Sequence, residues 1–120
     1  MRTATIQIRK DDASVLREAG AAFVDAWKTG ASAFDLFTFS SPAQLFSVLS
    51  PKRWSLIERL QGLGAVSLRG LARALGRDVK RVHEDVGILL DWGLVEWTAE
   101  RKLVVPYDVI HADFDLRAVA

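Results

Sequence analysis

Apolar positions change their spacing several times along the chain, and each change marks an element. Thr3 to Arg9 alternates, with Ala4, Ile6 and Ile8 on one side and β-branched residues throughout, which predicts a strand with those three facing inward. From Asp11 the spacing becomes helical: Val15, Leu16, Ala19, Phe23, Ala26 and Trp27 recur on one face, and Gly30 is a stop. Phe34 to Phe39 (FDLFTF) is short and aromatic-rich and predicts a second strand, so the segment 1–40 reads β-α-β. Ser41-Pro42 and Ser50-Pro51 each combine an N-cap hydroxyl with proline at the first helical position, where its missing N–H costs nothing. The first opens a short helix through Leu49. The second opens one from Pro51 to about Gly62, with Trp54, Ile57, Leu60 and Leu63 as its apolar row and Gly62 and Gly64 ending it.

The next helix is capped by Ser67, buries Leu68, Leu71, Ala72 and Leu75, and stops at Gly76. Asp78 then caps a longer helix with Val79, Val82, Val86, Leu89 and Leu90 on one face and Gly93 as its stop. Leu94 to Trp97 and Leu103 to Val105 read as two strands joined by the polar turn Thr98 to Lys102, with Pro106 closing the second. Finally Ile110, Ala112, Phe114 and Leu116 alternate with His111, Asp113 and Asp115, a terminal strand with one apolar face. The expected fold class is α+β: a winged helix-turn-helix over residues 41–106, centred on 51–106, with a β-α-β extension at 1–40 for dimerisation or partner binding and a strand and tail at 107–120.

Composition narrows the function. The 120 residues suit one compact core. Cysteine is absent, which removes disulfides, thiolate metal clusters and cysteine nucleophiles. No apolar run is long enough to span a bilayer, and residues 1–10 lack the features of a signal peptide, so a soluble, cytoplasmic protein without membrane association is expected. Net charge is only +1, but its distribution is uneven: residues 51–105 hold ten bases and seven acids, whereas residues 106–120 hold one base and three acids. From Ser67 to Arg81, the cations Arg69, Arg73, Arg77, Lys80 and Arg81 face the single acid Asp78.

Two helices joined at a glycine-containing turn are what a helix-turn-helix needs, and the second is long enough to cross a major groove about 12 Å wide. At about 100° per residue, Lys80, Arg81, Glu84 and Ile88 point away from the buried row. Arg81, with Lys80, occupies the first turns, the part of a recognition helix that approaches base edges. Arg77 precedes the helix, near a phosphate. Arg69 and Arg73 lie one turn apart and suit the phosphate backbone. Arg101 and Lys102 sit at the tip of the wing. Ser67 and Glu84 complete the candidate DNA-facing set. Helical modules of this shape also dock proteins, and arginines on an amphipathic helix are commonly just its solvated face.

The run SPKRWSLIERLQGLGAVSLRGLARALGRDVKRVHEDVGILLDWGLVE followed by VVPYDVI resembles the prokaryotic HVO_A0114-type proteins, a winged-helix group described as MarR-like predicted transcriptional regulators. LARALGRDVKRVHEDV and VPYDVIHADF are its most specific phrases, and the likeness covers about residues 41–116. It implies a DNA-binding regulator from a prokaryote. Because members are frequently encoded beside a small toxin-like protein, it also implies an antitoxin role with a toxin as partner.

Other constellations are weaker. His83 lies at the edge of the buried face, about 100° from Glu84, so it forms no cluster with Glu84 and Asp85 and is expected to bond within the core or reach a phosphate. His111, Asp113 and Asp115 share one strand face, where an exposed polar surface is the plainer account than a cation site. The four tryptophans are expected mainly in the core, Trp97 least so. Nothing nominates an enzyme, a metal or a cofactor. A homodimer on two half-sites of double-stranded DNA is the expected assembly, with Thr3–Arg9 and Tyr107–Leu116 as candidate sheet-forming contacts.

Overall fold

Three glycines in the left-handed region, Gly64 (φ 75°), Gly76 (φ 64°) and Gly93 (φ 84°), end the three main helices. The computed structural model describes residues 2–8 and 35–114. Its order is β1 (Thr3–Ile8), β2 (Leu36–Phe39), α1 (Pro42–Val48), α2 (Pro51–Leu63), α3 (Leu68–Leu75), α4 (Val79–Trp92), β3 (Glu96–Trp97), β4 (Leu103–Val104) and β5 (Val109–Ala112). The class is α+β. The predicted helix at 11–30, Arg9, Phe34 and Leu116 fall outside the described residues. The chain divides into two compact units, one of residues 1–2 and 46–108, the other of residues 3–45 and 109–120.

The second unit holds a parallel sheet in the order β2-β1-β5. Ile6 pairs with both Phe37 and Ala112, and Ala4 with Ile110, so these side chains share one face. Ala4, Ile6, Phe37 and Phe39 are buried there, in line with the predicted alternation, and Ile8 at the strand's end is half-buried. A β-α-β start requires the parallel pairing that β1 and β2 have. The terminal strand departs from expectation. It is recorded only to Ala112, with Asp113 N–H donating to Ile6 O; Ile110 is half-buried, Ala112 exposed and Phe114 39% exposed. Among the described residues β5 is an edge strand, with a neighbour on one side only.

In the first unit, α4 buries Val82, Val86 and Leu89, spaced i, i+4 and i+7. Helix α3 buries Leu71 and Ala72. Both end in the same way. Gly76 N–H donates to Arg73 O and Arg77 N–H to Ala72 O; Gly93 N–H donates to Leu90 O and Leu94 N–H to Leu89 O. This pair of crossed bonds satisfies carbonyls that a helix end leaves open. Between the helices lie only Gly76, Arg77 and Asp78, and Asp78 caps α4 by accepting from Arg81 N–H at 3.3 Å.

Helix α2 turns a different face inward from the one predicted. Leu56, Ile57 and Leu60 are buried, whereas Trp54 is half-buried and Leu63 is exposed. A row taken every third residue advances about 300° per step and slips off any one face by about 60° each time. Leu56 lies about 40° from Leu60 on the helical wheel and completes the true stripe. The two Ser-Pro starts also differ. Ser41 Oγ accepts from Gln44 N–H at 3.1 Å, but Ser50 makes no side-chain cap bond. Val79, expected inside, is 39% exposed because it is the first residue of α4, and Leu68, Leu75 and Leu90 are only half-buried. Ile88, expected outside, is half-buried because residues 86–90 of α4 are all at least partly covered.

The hairpin pairs Glu96 with Val104 and Trp97 with Leu103. Its turn is held by Thr98 N–H to Lys102 O (2.7 Å) and Arg101 N–H to Thr98 O, with Arg101 at φ 61°. Val66 adds a rung that the hydrophobic pattern does not reveal, exchanging backbone bonds with Leu103 at 3.0 and 2.7 Å. Tyr107, expected in the terminal strand, is buried in this unit, donating its hydroxyl to Gly93 O at 3.2 Å beneath the Arg2 guanidinium. Gln61 Nε2 donates to the Tyr107 and Asp108 carbonyls, both at 3.0 Å.

A carboxylate joins the helices. Asp85 of α4 accepts from Arg53 Nε of α2 at 3.0 Å and from Arg77 Nη2 of the turn at 2.7 Å, while Arg53 Nη1 also donates to the Ser47 and Val48 carbonyls. Burial alone would raise the Asp85 pKa. Hydrogen bonds and charge from the two guanidiniums outweigh it, and the pKa is lowered from 3.8. A carboxylate with a depressed native pKa adds stability above its unfolded value, and that stability is lost as pH falls through the lowered native value.

Two consequences are measurable. Asp85→Ala, which leaves two guanidiniums facing each other partly buried, is expected to cost about 3 kcal/mol in urea unfolding at pH 7. Asp85→Asn should flatten the fall in stability below pH 4, and an unchanged acid profile would contradict this assignment. Gly76→Ala brings a Cβ into open space, so its cost is confined to the left-handed backbone, about 1–2 kcal/mol, seen as a lower urea midpoint with unchanged slope.

Candidate nucleic-acid interface

Arg69 and Val79 belong to different helices, yet one solvent-open cavity of about 360 Å³ is lined by Arg69, Ala72, Arg73, Arg77 and Val79. The local sequence explains this. Arg69 and Arg73 stand four residues apart on α3, opposite the buried Leu71, so both heads reach solvent on one side. The Gly76 stop then reverses the chain within three residues and returns the first turn of α4 to that side. Among the described residues, no acid lines the cavity.

The other candidates take distinct positions. Lys80 and Arg81 are exposed in the first turn of α4, and Glu84 is exposed one turn further on. Ser67 is exposed, and its Oγ accepts from Gly70 N–H at 3.0 Å, so its oxygen is already engaged as the helix cap. Arg101 and Lys102 are exposed at the hairpin tip. Arg77 differs from the rest of the set. It is held by Asp85, its side chain is only 22% exposed, and its Nη1 is buried without an acceptor among the described residues. It is a fixed cation rather than a free one.

Arg53 and Asp85 escaped the sequence reading of this site. A signal for Asp85 was present: on a helical wheel it lies about 40° from Leu89 and about 60° from Val82, so an acid flanks the buried stripe and needs a partner. Which cations would supply it was not legible, because Arg53 is 32 residues away. His83 is exposed, which removes the expected bond within the core. Among the described residues, no three of His, Asp and Glu gather closely enough to hold a metal; His111 and Asp113 are exposed, and Asp115 lies outside the described residues. Trp97 is 53% exposed, while Trp54 and Trp92 are half-buried instead of fully in the core. No described helix is long and apolar enough to cross a membrane.

Comparison with curated proteins and with solved structures returns no match. The model of one family, HVO_A0114, matches residues 48–112, which runs from the end of α1 to the end of β5 and takes in more than half of the 120 residues. With α2, α3, α4 and the hairpin all inside the matched segment, the chain belongs to the HVO_A0114 family.

Proposed function

We propose that residues 51–106 form a winged helix-turn-helix of MarR-like type that binds double-stranded DNA, and that the protein is a cytoplasmic transcriptional regulator acting on its own operon. One observation carries this reading: Arg69, Arg73, Lys80 and Arg81 are all exposed on two helices joined by a three-residue turn, and Asp78 there is engaged in capping. Arg81 is the candidate for base edges, where two parallel bonds to guanine O6 and N7 discriminate by about 1–3 kcal/mol. Arg69 and Arg73 serve the phosphate backbone, and Arg101 and Lys102 a neighbouring groove or phosphate. Two copies on paired half-sites would multiply the modest affinity of one small module.

A second reading has its own support. Among the described residues β5 is a sheet edge, and Val109 is 42% and Phe114 39% exposed. An edge with exposed apolar side chains suits a protein partner, as in an antitoxin that covers a toxin.

Fluorescence anisotropy with duplex from upstream of the protein's own gene tests the first reading. Nanomolar binding that weakens steeply with salt is expected, with a random duplex much weaker. Arg81→Ala should narrow the gap between specific and random duplex roughly tenfold. Arg69→Ala with Arg73→Ala should weaken both duplexes alike and reduce the salt slope by about two. Equal, poor affinity for both duplexes would sink the regulator, and stoichiometric copurification of a second protein would favour the alternative.

A further inference from the structure

The cavity between α3 and the first turn of α4 has a chemistry more specific than a basic surface. Three arginines line it, Arg69, Arg73 and Arg77, and no carboxylate-bearing residue among the described residues does. Arg77 is locked in place by the 2.7 Å bond from its Nη2 to Asp85, which leaves most of its five N–H donors unused. Its Nη1 is buried without an acceptor among the described residues, so the charge of Arg77 is only partly met by hydrogen bonds. Asp85 does not cancel the local charge, because it is shared with Arg53: two guanidiniums meet one carboxylate.

The remaining lining residues, Ala72 and Val79, are apolar. The cavity has a volume of about 360 Å³. That is ample for one tetrahedral oxyanion with part of its hydration shell. Planar guanidiniums, one pre-oriented and two solvent-exposed, match a phosphate group better than a halide or a single carboxylate, because a phosphate offers several oxygens in different directions.

We propose that this cavity is a discrete phosphate-binding pocket, in which Arg69 and Arg73 close over a phosphate group and Asp85 acts as a positioning residue that presents Arg77. The natural source of the phosphate is either the DNA backbone, in which case the pocket sets where the duplex sits and the inference rests on the DNA-binding reading, or a free phosphoryl compound. The two share one chemistry and are separated by experiment.

The full chain is titrated with inorganic phosphate at constant ionic strength held by chloride, while the arginine Nε–H signals are followed by NMR. The expected result is saturable binding with one dissociation constant shared by Arg69, Arg73 and Arg77 and no comparable change at Arg101. Arg73→Ala, an exposed position that leaves the core untouched, should weaken phosphate at least roughly tenfold, as the loss of a charge-assisted contact implies. Arg77→Lys keeps the charge but not the planar fork and should weaken it as well. Asp85→Glu, which keeps a carboxylate facing Arg77, should retain more of the phosphate affinity than Asp85→Asn. Shifts that grow without saturation and fall equally on Arg59, Arg69 and Arg101 would overturn the pocket, as would an affinity unchanged by Arg73→Ala. Added duplex that displaces the phosphate identifies the DNA backbone as the source; phosphate retained under saturating duplex identifies a free ligand. Duplex binding without any phosphate site defeats the pocket alone, and a phosphate site without duplex binding defeats the regulator alone.

Discussion

One carboxylate, on Asp85, holds α2, the turn after α3 and α4 in register by accepting from two arginines that come from different parts of the chain. A partly buried acid is tolerable only when its charge is met and its oxygens are bonded. Both oxygens are used here, one for each arginine. Arg53 extends the link by donating to the last carbonyls of α1, where a helix end has acceptors to spare. The bonds that join these helices thus also set the orientation of Arg77, and with it one wall of the arginine-lined cavity.

Around that link, local devices do the shaping. Gly76 and Gly93 stop their helices with paired backbone bonds, and Asp78 restarts the chain in a new direction after three residues. The brevity of α3 follows from its caps, Ser67 at one end and Gly76 at the other. The short turn brings Arg77 beside Arg69 and Arg73 of α3, so a chain of net charge +1 gathers three arginines around one cavity. Val66 and Leu103 join the hairpin to the segment before α3 at the rung next to its turn, while Arg101 and Lys102 in that turn stay exposed.

The candidate cations divide by what they touch. Arg69, Arg73, Lys80 and Arg81 are solvent-facing, whereas Arg77 is engaged internally. Treating all five as equivalent would hide that difference, since an anchored guanidinium loses little freedom when a ligand arrives, and mobile ones must be ordered.

By itself the sequence determined the order and type of the described elements, the stops at Gly76 and Gly93, the caps by Ser67 and Asp78, and the exposure of Lys80 and Arg81. These depend on residues a few positions apart, where propensity, capping and helical spacing act directly. It also carried the family likeness. Only the tertiary structure decided that α2 buries Leu56 instead of following the row through Leu63, that Tyr107 packs beside Gly93 and outside the terminal strand, and that Val66 pairs with Leu103. It alone separated Arg77 from the free cations. Those outcomes depend on which distant groups meet, as Arg53 meets Asp85 across 32 positions, and no local pattern encodes that distance.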